Sequence, residues 1–264
     1  MPHRLILAVV LLAVSVPPAG AQPLPLVSEN TLTIGMSPTF PPFEYVLDGK
    51  TIGFDVDLPD LLTKKLKLTF TTPPIDFKGI IPALTGKRID AIISGMYIND
   101  AREEAADFVP YLLVGNQVVV RKGNPAGLSD KMSLCGHRVS APVGTVFEAS
   151  ANKATAACEA AGKPKIEMLS LTGTTACALA LTHDRADAII VSTPTAVALM
   201  QATPDTYAAA GDPFDNETKV GIAVSKENPA LFIALEKAMA DVVADGDYAK
   251  LLERWKLPPS SAAY

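Results

Sequence analysis

Residues 90–102 read DAIISGMYINDAR. From Asp90 to Ile98 the run is apolar apart from Ser94 and Gly95, the pattern of a strand buried on both faces of a parallel sheet rather than of an alternating surface strand. The fold class that follows is α/β. Ligands in such sheets sit outside the carboxyl ends of the strands, which makes Ser94, Gly95 and Met96, where this strand runs out, candidate binding positions. Gly95 would let a ligand approach the main chain closely.

Beyond the strand, Asn99 or Asp100 can cap a helix, with Glu103 placed three residues after Asp100 to complete a capping box. Arg102 then falls in the first helical turn, where a cation opposes the positive end of the helix dipole. Two readings remain open for it. Either an anion is bound between guanidinium and helix N-terminus, or Arg102 pairs with Glu103 or another acid on a solvated face.

A repeat extends the α/β reading. ALTGKRIDAII (83–93) returns as ALTHDRADAII (180–190), eight identities in eleven positions at an offset of 97 residues. Each copy ends a helix and enters a buried strand, which implies two similar α/β lobes presenting strand ends to a common cleft. Asp90 and Asp187, at equivalent points, read as structural turn residues.

Residues 1–21 read as an export signal: His3 and Arg4 precede a twelve-residue, almost wholly apolar run, Leu5–Val16, and Ala19-Gly20-Ala21 offers a cleavage site. The run is short of the ~20 residues needed to span a bilayer, and no cysteine follows it for lipid attachment. The expected product is a soluble, periplasmic chain beginning near Gln22. The remaining 243 residues suit two lobes. Loss of Arg4 takes the net charge from −5 to −6, without a basic block, which argues against nucleic acid as a partner. With no CxxC and only His137 and His183 after residue 21, neither a metal site nor a cofactor is expected.

Four segments, SPTFPPFEY (37–45), GFDVDL (53–58), DFKGIIPALTGKRIDAIISGM (76–96) and INDAREEAADF (98–108), occur in an order and spacing that resembles the periplasmic solute-binding proteins of polar amino-acid ABC importers. The resemblance continues more loosely to about Pro258. It implies the two-lobe type II periplasmic binding protein fold, each lobe a mainly parallel sheet flanked by helices, joined by two crossover strands. The expected lobes are residues 22–117 with 218–264, and 118–217, with Gly115–Arg121 and Lys219–Ser225 as the crossovers. Implied partners are a small carboxylate ligand, most simply an amino acid, and an inner-membrane permease, for a chain acting as a monomer.

By the same resemblance Phe40, in a stiff Pro-rich loop, stacks on or covers the ligand, and Phe77 either faces the crevice or belongs to the core. Gly144, Thr145 and Val146, on a glycine turn leading into a helix, touch the ligand carboxylate opposite Arg102. Asp55 and Asp57 read as acids complementing a helix dipole. Cys135 and Cys158 flank one βα segment and many relatives carry cysteines at these places, so they are the expected disulfide; Cys177 then reads as a buried hydrophobe.

Three departures from the family pattern narrow the ligand. Ser192 stands where relatives place an aspartate for the α-ammonium, Ser37 where many place a second acid, and Tyr97 where a Thr usually assists Arg102. Without those acids a strongly basic ligand would bury an unpaired charge. Two other functions are consistent with the fold: a cyclohexadienyl dehydratase-like enzyme, for which these serines remove the expected general acid, and a sensor read by a partner receptor. Catalytic residues are therefore not expected.

Overall fold

The computed structural model describes residues 23–264, so the proposed export signal lies outside the described residues. Strand β1 (Thr31–Gly35) leads through a small antiparallel sheet of β2 (Thr39–Phe40), β3 (Glu44–Leu47) and β4 (Lys50–Ile52) to helix α1 (Phe54–Leu66). Strand β5 (Thr69–Thr71), helix α2 (Phe77–Thr85), strand β6 (Ala91–Ile92) and the single turn α3 (Asp100–Glu103) follow. The long strand β7 (Ala106–Arg121) then carries the chain into the second lobe. There β8 (Arg138–Pro142), α4 (Val146–Ala160), β9 (Glu167–Leu171), α5 (Gly173–Thr182), β10 (Ala188–Ser192) and α6 (Thr193–Ala202) repeat the β-α-β-α-β order. Strand β11 (Tyr207–Ser225) returns, and α7 (Pro229–Ala244) with α8 (Asp247–Arg254) closes the chain.

All the long strands form one sheet in the order β5-β1-β6-β11-β7-β10-β8-β9. At one end β5, β1 and β6 are parallel; at the other, β9, β8 and β10 are parallel. Between them β7 and β11 pair antiparallel from Tyr207 opposite Arg121 to Ser225 opposite Ala106. Their register slips between Ala210 and Phe214 and again between Phe214 and Thr218. A third slip falls between Val220 and Gly221, within the expected crossover Lys219–Ser225, and Ala223 and Val224 pair with β6.

The two repeat copies span α2–β6 and α5–β10, and their aspartates do equivalent work. Asp90 donates its N–H to the Thr33 carbonyl (2.8 Å), and its Oδ2 accepts the Thr33 N–H (2.7 Å). Asp187 makes the same reciprocal pair with Arg138, at 2.7 and 2.9 Å. Each bolts the entry of one parallel strand to its neighbour.

The strand opening at Asp90 is regular only over Ala91–Ile92, although everything to Tyr97 is buried, because Gly95 takes a positive φ of 50° and turns the chain. Pro59 lies in the second turn of α1, and the helix forgoes one i→i−4 bond there. Asn99, not Asp100, caps α3, accepting the Arg102 N–H at 3.0 Å.

Apolar positions at helical spacing fill the first lobe. Leu58 and Leu62 of α1, Leu235, Met239 and Val242 of α7 and Leu251 of α8 join β1 and β7 in one core, each large side chain contributing roughly 1.5–3 kcal/mol. Trp255 anchors the tail, donating Nε1–H to Asp57 at 2.8 Å and meeting Tyr45 edge-on. Among the described residues no helix is long and apolar enough to cross a membrane.

Cys135 and Cys158 are disulfide-bonded with a Cα–Cα separation of 5.6 Å, tying the segment before β8 to α4; Cys177 is free and buried. Closing a loop across 23 residues is worth about 3 kcal/mol. The double variant Cys135→Ser, Cys158→Ser is expected to lose about that much in urea unfolding, and reduction of the wild-type protein to give the same loss.

Candidate functional site

Both lobes present their parallel-strand ends to one enclosed cleft. The first lobe contributes Ser37 and Thr39 after β1, Phe40, Glu44 at the start of β3, Phe77 at the start of α2, then Gly95, Tyr97 and Arg102. The second contributes Pro142, Thr145, Val146 and Phe147 at the start of α4, and Gly173 and Thr174 at the start of α5. Eight of the residues expected from sequence are thus brought together: Ser37, Phe40, Phe77, Gly95, Tyr97, Arg102, Thr145 and Val146.

Four are not among the lining residues, each for a definite reason. Met96 turns away into a core with Ile80, Leu84 and Ile92. Ser94 is buried beneath the pocket, receiving the Ser37 N–H (3.0 Å) and donating its hydroxyl to Glu44 Oε1 (2.7 Å). Gly144 touches the cleft only through its carbonyl, and its N–H is committed to Glu148 Oε2 at 2.8 Å. Ser192 caps α6, with its Oγ 2.7 Å from the Thr195 hydroxyl and accepting the Thr195 N–H at 3.1 Å. Ser192 is fully buried, whereas Tyr97 lines the cavity and donates its phenol hydroxyl to Asn116 Oδ1 at 3.2 Å.

Arg102 dominates the electrostatics. It is 8 % exposed, donates Nη1–H to the Tyr97 carbonyl (2.6 Å) and Nη2–H to the Gly144 carbonyl of the other lobe (3.2 Å). Its guanidinium sits 5.4 Å from the centre of the Phe77 ring. Among the described residues no carboxylate lies within 4 Å of it. Burial pulls its pKa down to about 10, which leaves it charged at neutral pH. Of the two readings of Arg102, the solvated ion pair is excluded.

The remaining walls are aromatic. Phe147 of the second lobe packs on Phe40 and Tyr97 of the first, with ring centres 5.8 and 5.4 Å apart. These contacts leave a cavity of about 30 Å³, the space of roughly one water. The backbone is as close: a Cβ on Gly173 would lie 2.5 Å from Thr39 Oγ1, and one on Gly144 3.2 Å from Lys78 Cβ. The lobes meet in a closed arrangement.

Thr39, Glu44, Pro142, Phe147, Gly173 and Thr174 were missed. The internal repeat held the signal for one of them, because Phe77 and Thr174 are 97 residues apart and each opens the helix leading into its repeat copy. Phe147 ends the segment VSAPVGTVF, in which the expected positions stopped one residue short, at Gly144, Thr145 and Val146. Glu44 closes SPTFPPFEY but gives no local sign that it is buried. Burial first, and the neighbouring Asp55 charge second, hold its carboxyl well above the usual range.

A model of the bacterial extracellular solute-binding proteins, family 3, matches residues 32–258. The chain belongs to that family. Family 3 relatives include the L-cystine-binding protein TcyJ of Escherichia coli strain K12, 31% identical over 228 residues that cover 86% of this chain and 82% of the relative. The histidine-binding periplasmic protein of Salmonella typhimurium is 32% identical over 234 residues, covering 85% and 86%. Among solved structures, an ancestral arginine-binding protein bound to arginine superposes with a TM-score of 0.80 at 33% identity, over 86% of this chain and 98% of that one. An ancestral amino-acid-binding protein described as a precursor of cyclohexadienyl dehydratase gives 0.77 at 27% identity, over 86% and 95%. The type II two-lobe architecture expected from sequence is thereby established for this chain.

Gly173→Ala is expected to hold the lobes apart at Thr39. Ligand affinity, by calorimetry, should fall at least about tenfold, while the strained φ of +78° costs only ~1 kcal/mol of stability.

Proposed function

We propose that this chain is the periplasmic binding component of an ABC importer, and that it captures a small carboxylate, most simply an amino acid that is not strongly basic. The observation that carries this reading is Arg102: a charged guanidinium buried between two lobes with only carbonyl partners is matched by an anion. A ligand carboxylate would replace the Gly144 carbonyl as its partner, with the Thr145 hydroxyl and the first turn of α4 on the facing wall.

Several observations support exclusion of arginine and lysine. Ser37 and Ser192 are neutral, and burial, with the neighbouring Asp55 charge, holds the carboxyl of Glu44 on the cavity wall well above its usual range. A cationic side chain would meet a wall whose carboxyl is disfavoured in its charged form. This sets the chain apart from the arginine-bound relative it resembles. The aromatic surfaces of Phe40, Phe77, Tyr97 and Phe147 instead suit an uncharged body.

The proposed lobes are 22–117 with 218–264, and 118–217, meeting where β7 and β11 lose register. An amino acid needs more than the ~30 Å³ present, so entry requires Phe147 to withdraw with its lobe, by bending at residues 211–218 and the facing part of β7. Closure around the ligand then shifts the population toward the form an inner-membrane permease accepts. Export by cleavage after Ala21 and action as a monomer complete the proposal.

Glu44, on the same cavity wall as Arg102, raises a second reading, acid-catalysed elimination as in dehydratases. Against it, Glu44 Oε1 is engaged by the Ser94 hydroxyl and Oε2 is fully buried, so neither oxygen is free to pass a proton to a ligand.

A thermal-shift screen should therefore show stabilisation by neutral amino acids such as glutamine or cystine, and little by arginine or lysine. At about 100 times the dissociation constant the gain is about 2.7 kcal/mol. Arg102→Ala should abolish every shift while folding normally; a variant that binds as wild type does would refute the carboxylate role. Cyclohexadienyl hydroxy acids should be returned unchanged.

A further inference from the structure

Beneath the cavity wall lies a second polar cluster that ligand capture as described does not use. Glu44 and Asp55 are both fully buried. The Gly95 N–H (2.5 Å) and the Tyr111 hydroxyl (2.7 Å) both donate to Asp55 Oδ2. Ser94 donates to Glu44 Oε1. The second oxygen of each acid, Glu44 Oε2 and Asp55 Oδ1, is buried without a partner, and the Asp55 N–H donates to the Phe43 carbonyl at 2.8 Å, which sets the two acids side by side.

Two ionised carboxylates in this position would repel each other and leave two buried oxygens unsatisfied. A single proton between them satisfies both. We propose that Glu44 and Asp55 hold one proton between them and, as a protonated pair, clamp the chain from Ser94 to Tyr97 and thereby position Arg102.

The connections run in one direction. Ser37 donates to Ser94 and Ser94 to Glu44, which joins the ends of β1 and β6 to β3. Asp55, at the start of α1, fixes Gly95, whose Cα faces the Phe40 ring so closely that a Cβ would lie 2.6 Å from it. Two residues on, the Tyr97 carbonyl receives Arg102. Asp55 had read from sequence as a dipole-complementing acid; the structure gives it a buried, directed role instead.

The groups facing the pair leave no other source of compensation. From β7 comes Tyr111, kept un-ionised by burial, and from α8 Tyr248, which donates to the Tyr111 carbonyl. Asp57 on α1 is turned outward to Arg254 and Trp255. Arg102 is the cation on the cavity wall, beside Tyr97. Burial, opposed by the Gly95 and Tyr111 donors, brings Asp55 up to about 6, and burial with the Asp55 charge holds Glu44 well above its usual value.

Both acids thus bind protons more tightly folded than unfolded. Their contribution is present at low pH and is lost as pH rises from the unfolded values, near 4, through the folded ones. The clamp's importance for capture rests on reading the cavity as the ligand site, but its chemistry does not, so the test uses ligand-free protein. Melting temperature is recorded from pH 5 to 9. Over part of that range wild type should fall more steeply than Glu44→Gln, in which an amide N–H replaces the proton, by about 4 °C per pH unit. Parallel profiles would overturn the shared proton.

Carbon-13 NMR of side-chain carboxyls in the wild-type protein needs no variant. One Glu carboxyl titrating far above the others is expected, and all of them titrating in the ordinary range would overturn the proposal. The Arg102 Nε–H resonance should move with the same midpoint. A carboxyl that titrates without moving Arg102 would overturn the positioning role.

Discussion

Arg102 is buried between two lobes with the carbonyls of Tyr97 and Gly144 as its partners and no acid beside it. Carbonyl dipoles satisfy the hydrogens but do not neutralise the charge, so the cleft keeps a positive potential that only an incoming anion removes. Around that cation the other features take their places. The strand ends converge on it, aromatic rings wall it in, and the acid on the wall, Glu44, has its carboxyl held well above the usual range by burial rather than paired with it. A closed cleft with this electrostatic character favours a carboxylate over a cation.

The sheet supplies the means of reaching that cation. β7 and β11 run the length of the sheet between the two parallel halves, and their register slips three times between Ala210 and Gly221. On either side, the reciprocal bonds of Asp90 with Thr33 and of Asp187 with Arg138 keep each parallel sheet rigid at the equivalent point. Glycine at 144 and 173 then sets how closely the lobes approach, since a side chain at either would meet the opposite lobe.

Much of this was legible in the sequence because it rests on local pattern. The apolar run after Asp90 gave a parallel strand, the repeat gave two lobes, and the resemblance of four segments placed Phe40, Arg102 and Thr145 in one cleft and paired Cys135 with Cys158. What failed depended on tertiary direction. Met96 and Ser192 lie in the right segments, but alternation along the chain and a helix cap turn their side chains away. Glu44 and Asp55 are 11 residues apart, and nothing local shows that a loop and a helix start bring them together in the dark of the core. Phe147 became a wall of the cavity only because the opposite lobe closes on it. Ser192 had been weighed as a replacement for an aspartate; fully buried, it reads better as the cap that α6 requires.

The measurement that bears most directly on the central claim is a crystal structure of the protein with a bound neutral amino acid such as glutamine. The account predicts the ligand carboxylate within 3 Å of the Arg102 guanidinium, in the place of the Gly144 carbonyl, with the lobes closed over it. A ligand held elsewhere in the cleft, with Arg102 still bonded only to Tyr97 and Gly144, would contradict it.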